Sequence, residues 1–372
     1  MALNSRFGYV FPAIRGIQAG RSYYTSMCPL RIIPKIFLFD EAEAELSPEL
    51  RAQRTLNKAR VPEIANYILE NLNDYSFSAI TSSIDADVSF EPLSSDGASD
   101  QIGLLHVPMD AKFIINDGQH RRAAIEEALT QYPDLGDESI AVVFFIDRGL
   151  ERCQQMFADL NRYAIRPSKS LGVLYDFRDD LANLSRLIVF KSTLFRDIVE
   201  MEKSSLAKRS RKLFTLSAIY HANQELLSGL EHKDKDSAAK TGIRYWDEVA
   251  EHIPEWKMVR DRKVSSGEIR GDYIHSHGIA LQALGRVGNT LLSKYEKDWK
   301  DRLSYLETID WSRSNVSIWE GRAMTNGRLS KTNQTISLTS SYIKNALKLP
   351  LTPEEEQMEE ILMSSKNGGN RE

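Results

Sequence analysis

The periodicity of apolar residues changes character along this 372-residue chain, and that change limits the folds open to it. Up to residue 147, apolar runs of strand length are interleaved with helical patterns; beyond 181 strand signals nearly vanish. Residues 5–40 alternate aromatic and aliphatic residues with turn formers, a pattern for three strands, with Pro12, Pro29 and Pro34 confining pairing to edges or ends. Leu46 to Asn73 is helical in character, with Pro62 placed to open its second helix. SFSAITSSID (76–85) and IGLLHVP (102–108) read as strands on either side of the loop SSDGASD (94–100), and SIAVVFFID (139–147) is apolar enough for the centre of a buried sheet. Strands alternating with helices over 60–147 predict a mixed α/β domain, followed by a mainly helical region. The expected division is 1–180, 181–350 and an acidic, polar tail over 351–372.

A chain of this length can bury a sizeable core. Its formal net charge is −4, so nucleic-acid binding must come from local basic patches. Two cysteines, Cys28 and Cys153, make no disulfide framework and fit a reducing compartment. No apolar run approaches the roughly 18 residues of a membrane span, and the first residues lack a signal-peptide core. A cytoplasmic protein without a membrane partner is expected.

The stretch AKFIINDGQHRRAAIEEAL (111–129) holds the densest chemistry. A short strand over Phe113–Ile115 runs into a turn at Asn116-Asp117-Gly118 and then a helix opening on Gln119-His120-Arg121-Arg122. A helix N-terminus presents free N–H groups and the positive end of its dipole, which suits an anion. Gly118 permits a positive φ and close backbone approach. Two arginines in the first turn, where cations are electrostatically disfavoured, call for a negative partner. A phosphate site over Asp117, Gly118, Gln119, His120, Arg121 and Arg122 is therefore expected; the plainer alternative is a simple connection. His120, with Asp117 beside it, is the candidate acid/base.

In the second half, SLAKRSRKLFTLSAIYHANQELL (205–227) reads as a helix with Lys208, Arg209, Arg211 and Lys212 at its head, and Ser210 and Thr215 as short donors for phosphate oxygens. It is the strongest linear candidate for contacting DNA, against the ordinary alternative of a solvated face. HKDKDSAAK (232–240) reads as a flexible linker, and VSSGEIRGD (264–272) as a turn opening the helix that follows. Small residues from Gly278 to Gly288 suit close helix packing. His275-Ser276-His277 has no Cys or acidic partner at ligand spacing, so no metal site is expected. Cys28, in a basic N-terminal segment, is a buried hydrophobe by default and a weak candidate for DNA contact.

Asp117-Gly118-Gln119-His120-Arg121 spells DGQHR, and the chain resembles the DGQHR-domain family. Within it, the resemblance is to DndB-type regulators of bacterial DNA phosphorothioation (DNA sulfur modification). It extends through ARVPEIANYI, FADLNRYAIRPSKSLG, SLAKRSRKLFTLSAIY, IPEWKMV and IDWSRSNVSIWEGRAM. It implies a distant ParB/sulfiredoxin-like fold for the N-terminal domain, double-stranded operator DNA as partner, and repression of the modification operon. Other sulfur-modification proteins or a second copy of the chain are further partners it admits. Phe157 to Arg162 resembles the second ParB-like box, which implies ligand contacts from Asn161 and Arg162, with Arg166, Ser168 and Lys169 able to complete an anion pocket. Leu160 stands where that box carries Glu, which removes a metal-holding carboxylate. Two functions are thus expected in competition: a DNA-binding repressor, or an NTP-binding or hydrolysing enzyme coupled to DNA nicking, with ATP, CTP or GTP and Mg²⁺. No Walker-type loop is present.

Overall fold

A computed structural model describes residues 8–37, 59–94, 97–150, 152–162 and 167–368. The chain divides into two compact units, Met1–Ile165 and Arg166–Glu372. The class is mixed α+β, with a seven-stranded mixed sheet in the first unit and a second unit built almost wholly of helices.

In the first unit β1 (Gly8–Gln18) and β2 (Arg21–Pro29) form a hairpin, turned by Ala19 and Gly20 at φ 51 and 74. Positive φ at both turn residues matches the twist of the flanking strands. Pro12 lies in the half of β1 that pairs with β5 alone, where one edge of the strand carries no ladder. Among the described residues the third N-terminal strand expected from the sequence does not form. Leu30–Ile32 is a 3-10 turn, and α1 (Ile33–Ile36) follows with Pro34 in its first turn. There proline favours a helix start over a strand.

α2 (Arg60–Glu70), β3 (Ile80–Asp85), β4 (Ser89–Pro92), β5 (Ile102–Pro108), β6 (Lys112–Asp117), α3 (Gln119–Gln131), β7 (Ser139–Ile146) and α4 (Cys153–Arg162) complete the unit. Of the helical stretch expected over Leu46 to Asn73, residues 46–58 lie outside the described residues. The strand order is β4-β5-β1-β2-β7-β3-β6. β7 lies inside the sheet, antiparallel to β2 and parallel to β3, as its apolar run predicts. Ile140, Val142 and Phe144 alternate into a core with Phe11, Leu105 and Val107, closed by Ile68 of α2 and Ile125 of α3.

The second unit begins with α5 (Lys169–Tyr175), α6 (Asp180–Lys191), α7 (Phe195–Ile198), β8 (Val199–Glu200), β9 (Phe214–Thr215) and α8 (Leu216–Leu227). Next come α9 (Lys235–Glu251), α10 (Pro254–Arg260), α11 (Ser266–Asp272) and α12 (Gly278–Lys294). α13 (Trp299–Leu303), α14 (Val316–Trp319), a small hairpin of β10 (Met324–Thr325) and β11 (Arg328–Leu329), α15 (Asn333–Ala346) and α16 (Pro353–Gly368) finish it. α12 is buried along most of its length between α8 and α15. A Cβ at Gly285 would stand 2.3 Å from the carbonyl oxygen of Ala222, so only glycine allows α8 and α12 this close.

The 232–240 stretch is no linker: Asp234 caps α9 by accepting from the Ser237 N–H, and Ala238 and Ala239 are buried. Tertiary burial supplies what its polar composition conceals. Residues 264–294 form two helices instead of one. α11 has a full Ser265–Glu268 capping box and ends before His275–His277, from which α12 starts afresh.

Candidate nucleic-acid interface

The Asp117–Arg122 turn has the local form read from the sequence. β6 ends at Asp117, Gly118 takes φ +111 as the N-cap residue, and α3 begins at Gln119. Its charges are disposed otherwise. Arg121 pairs with Asp117 at 2.6 Å, donates to the Ala79 carbonyl at 3.2 Å and also donates to the Ser78 hydroxyl. Arg122, 6% exposed, donates to the carbonyls of Phe37 (2.8 Å) and Pro34 (3.2 Å) and pairs with Glu126. The Gln119 amide folds back onto the Ile115 carbonyl. A Cβ on Gly118 would lie 3.1 Å from both the Arg121 guanidinium and Ile80. The guanidinium groups expected to await an anion are thus engaged inside the protein, and one of them covers the turn. A phosphate here would have to take Arg121 from Asp117, Ser78 and Ala79. Both acidic partners stand four residues from their arginines, a spacing visible in the sequence.

His120 is held below the usual imidazole range by burial first, then by repulsion from Arg60 and Arg121. A neutral ring suits a base better than an acid. The DNA candidate Cys28 is 1% exposed, and burial pushes its thiol up to about 11, so it is a protonated core residue with no surface to offer DNA. Cys153 is likewise buried and donates to Asn116 Oδ1 at 2.7 Å. Arg162 is exposed in the last turn of α4; the side chain of Asn161, and Arg166, lie outside the described residues. Ser168 caps α5 through the Leu171 N–H, and Lys169 follows it on the surface.

The basic run in the second unit is not the head of a helix. β8 and β9 pair in parallel, Val199 with Phe214, so residues 201–213 form a loop whose two ends are neighbours. α8 starts only at Leu216, with Thr215 buried as its cap; Thr215 is therefore unavailable to phosphate, and the Ser210 hydroxyl accepts from the Lys212 N–H. The loop is fastened from behind. The Arg270 guanidinium of α11 donates to the carbonyls of Ala207 (2.8 Å), Lys208 (3.2 Å) and Lys212, and Ser266 Oγ donates to Arg211 O at 2.6 Å. A Cβ on Gly267 would meet the Lys208 carbonyl at 2.5 Å, so α11 and the loop are in direct backbone contact.

With their backbone so held, Lys208, Arg209 and Arg211 point side chains into solvent, and none pairs with a carboxylate among the described residues. Lys212 is half-buried and donates to Asp197 O at 2.9 Å. Across a groove of about 1330 Å³ stand Arg260, Arg262 and Lys263, from the end of α10 and the turn after it. Arg260 is paired with Asp261 at 2.8 Å. Seven cations line this groove against three acids, Asp197, Glu268 and Asp272. In a molecule of net charge −4 that is a strong local excess. The far wall escaped the sequence reading, although Arg260-Asp261-Arg262-Lys263 is itself a short basic tract. Such a groove can neutralise several phosphates of a polyanion.

His275 and His277 are structural. Trp256 Nε1 donates to His275 Nδ1 at 3.1 Å, His277 Nε2 donates to Arg270 O at 2.9 Å, and burial lowers them to about 3 and about 4. Among the described residues no group of three or more His, Cys, Asp or Glu is placed to hold a metal, and no helix is long and apolar enough to cross a membrane.

A family model described as DndB, DNA-sulfur modification-associated, matches residues 11–350. No curated protein and no solved structure matches the chain.

Proposed function

The chain belongs to the DndB family of DNA-sulfur modification-associated proteins, and from that premise we propose that it is a DNA-binding regulator, a repressor of a DNA phosphorothioation operon. The observation that carries this reading is the groove of the second unit, where Lys208, Arg209 and Arg211 stand unpaired on a fastened loop opposite Arg260, Arg262 and Lys263. Cations held in place lose little freedom on meeting a phosphate backbone, and the counterions they release drive binding. Phosphate contacts of this kind fix register and leave sequence to be read by groups that enter a groove or sense DNA shape. Repression then follows from occupancy: a protein seated on the operator excludes polymerase.

The test is a mobility shift with an operator duplex and a scrambled duplex. Replacing Lys208, Arg209, Arg211 and Lys212 together by Ala is expected to weaken binding to both by about 100- to 1000-fold, at about 0.7–1 kcal/mol per lost phosphate contact. The thermal transition should move little, since Lys208, Arg209 and Arg211 are surface groups and Lys212 gives up a single contact, to Asp197 O. Unchanged affinity would remove the groove from the DNA interface.

A further inference from the structure

A second cavity, of about 410 Å³, lies in the same unit behind the basic loop. Lys169, Lys331, His221, His277 and Arg270 supply its charged and titratable lining, and no carboxylate lines it. Neither Lys169 nor Lys331 pairs with an acid among the described residues. Glu225, whose charge reaches Lys331 and His221, is bound by Arg286 at 2.8 Å and Gln282 at 2.8 Å.

The positions of these cations are unfavourable by themselves. Lys331 Nζ lies 3.6 Å from where a Cβ of Gly278 would stand, at the first residue of the 17-residue helix α12. That is the positive end of a helix dipole, and the N-cap residue His277 offers no side-chain acceptor to it. Lys169 and Lys331 stand exposed at the mouth of the cavity. Partial desolvation first, and then repulsion from Lys169, hold the Lys331 amine below its usual range, and desolvation and Lys331 do the same to the half-buried His221, with Glu225 opposing both. Several groups that repel one another share a hollow with nothing negative in it.

We propose that this cavity is a binding site for a small molecule carrying a phosphate group, seated between Lys169, Lys331 and the first turn of α12. A dianionic phosphoryl group would satisfy both ammonium groups, and Ser205 adds a hydroxyl at the rim. Leu206, Phe214 and Ala218 give the remaining wall an apolar surface, and the volume is that of a site for a small organic ligand. The site is separate from the DNA groove, because the loop 201–213 presents Ser204–Leu206 to this cavity and Lys208–Lys212 to the other.

The experiment is isothermal titration of the full chain with inorganic phosphate and with AMP, for the natural protein, for Lys169→Gln/Lys331→Gln, and for Lys208→Gln/Arg209→Gln. One site per chain is expected, weakened at least tenfold in the first variant and unchanged in the second. AMP binding tighter than phosphate assigns the apolar wall to a nucleoside; equal affinities assign the site to the free oxyanion. Absence of heat with both probes at millimolar concentration, or equal binding by Lys169→Gln/Lys331→Gln, overturns the proposal. It is also overturned if that variant loses duplex DNA in a mobility shift while the natural protein binds neither probe, since the cavity would then be part of the DNA groove. Weak DNA binding by Lys208→Gln/Arg209→Gln leaves this outcome untouched, so the two sites fail separately.

Discussion

Arg121 and Arg122 in the first unit and Lys208 to Lys212 in the second are both short cationic runs, and they end in opposite situations. The first pair is consumed by the fold: two acids four residues away and the carbonyls of Pro34, Phe37 and Ala79 take nearly every donor. In the second run the side chains of Lys208, Arg209 and Arg211 are free, with only Lys212 tied to Asp197 O, while the backbone carbonyls are taken by Arg270 and Ser266. A cation becomes available to a ligand when the structure satisfies its backbone and leaves its side chain unpaired. Density of charge along the sequence does not distinguish the two.

Substitutions separate them. Arg122→Ala strips a buried cation from Glu126 and leaves two carbonyls without a donor, a loss of about 3 kcal/mol after allowing for the half-exposed Glu126. Hydrogen exchange of the α3 amides should accelerate accordingly; native-like protection would mean that Arg122 is not a structural residue.

Acid should destabilise the second unit, because His275 and His277 must take up a charge where burial opposes it; the His277 contact to Arg270 O survives protonation and only partly offsets this. The folded values of about 3 and about 4 for His275 and His277 lie below the unfolded value of about 6.5. The unfolded state therefore binds more protons between pH 6.5 and 4. The contribution is complete above pH 6.5 and is lost as pH falls, by at most about 1.4 kcal/mol per pH unit for each ring. All five tryptophans lie in the second unit, so their fluorescence follows this unit alone. A midpoint that does not move between pH 7 and 5 would contradict the assignment.

Gly267→Ala should force α11 and the loop apart at the Lys208 carbonyl, costing about 1–2 kcal/mol and weakening DNA binding without touching a cation. DNA affinity equal to that of the natural protein would show that the fastening is dispensable. Arg209→Ala, at the other extreme, should shift stability by no more than about 0.5 kcal/mol.

Much of the sheet could be read directly: β5, β6 and β7 announce themselves by composition, and Gly118 marks the turn into α3. The fate of Arg122 could be read only in part. Its pairing with Glu126 is a local spacing, whereas Phe37 and Pro34 are supplied by a segment some eighty residues earlier. α9 was hidden because its polar first turn gains stability only by burying Ala238 and Ala239. The far wall of the groove was missed because Arg260–Lys263 meets Lys208–Lys212 only through the packing of α11.

The salt dependence of duplex binding tests the central claim most directly. For the natural protein, the logarithm of the affinity should fall steeply with the logarithm of salt concentration. In the variant with Lys208, Arg209, Arg211 and Lys212 replaced by Ala, the slope should be shallower by about 0.9 for each phosphate contact removed. Identical slopes in the two proteins would mean that DNA, if bound, is held elsewhere.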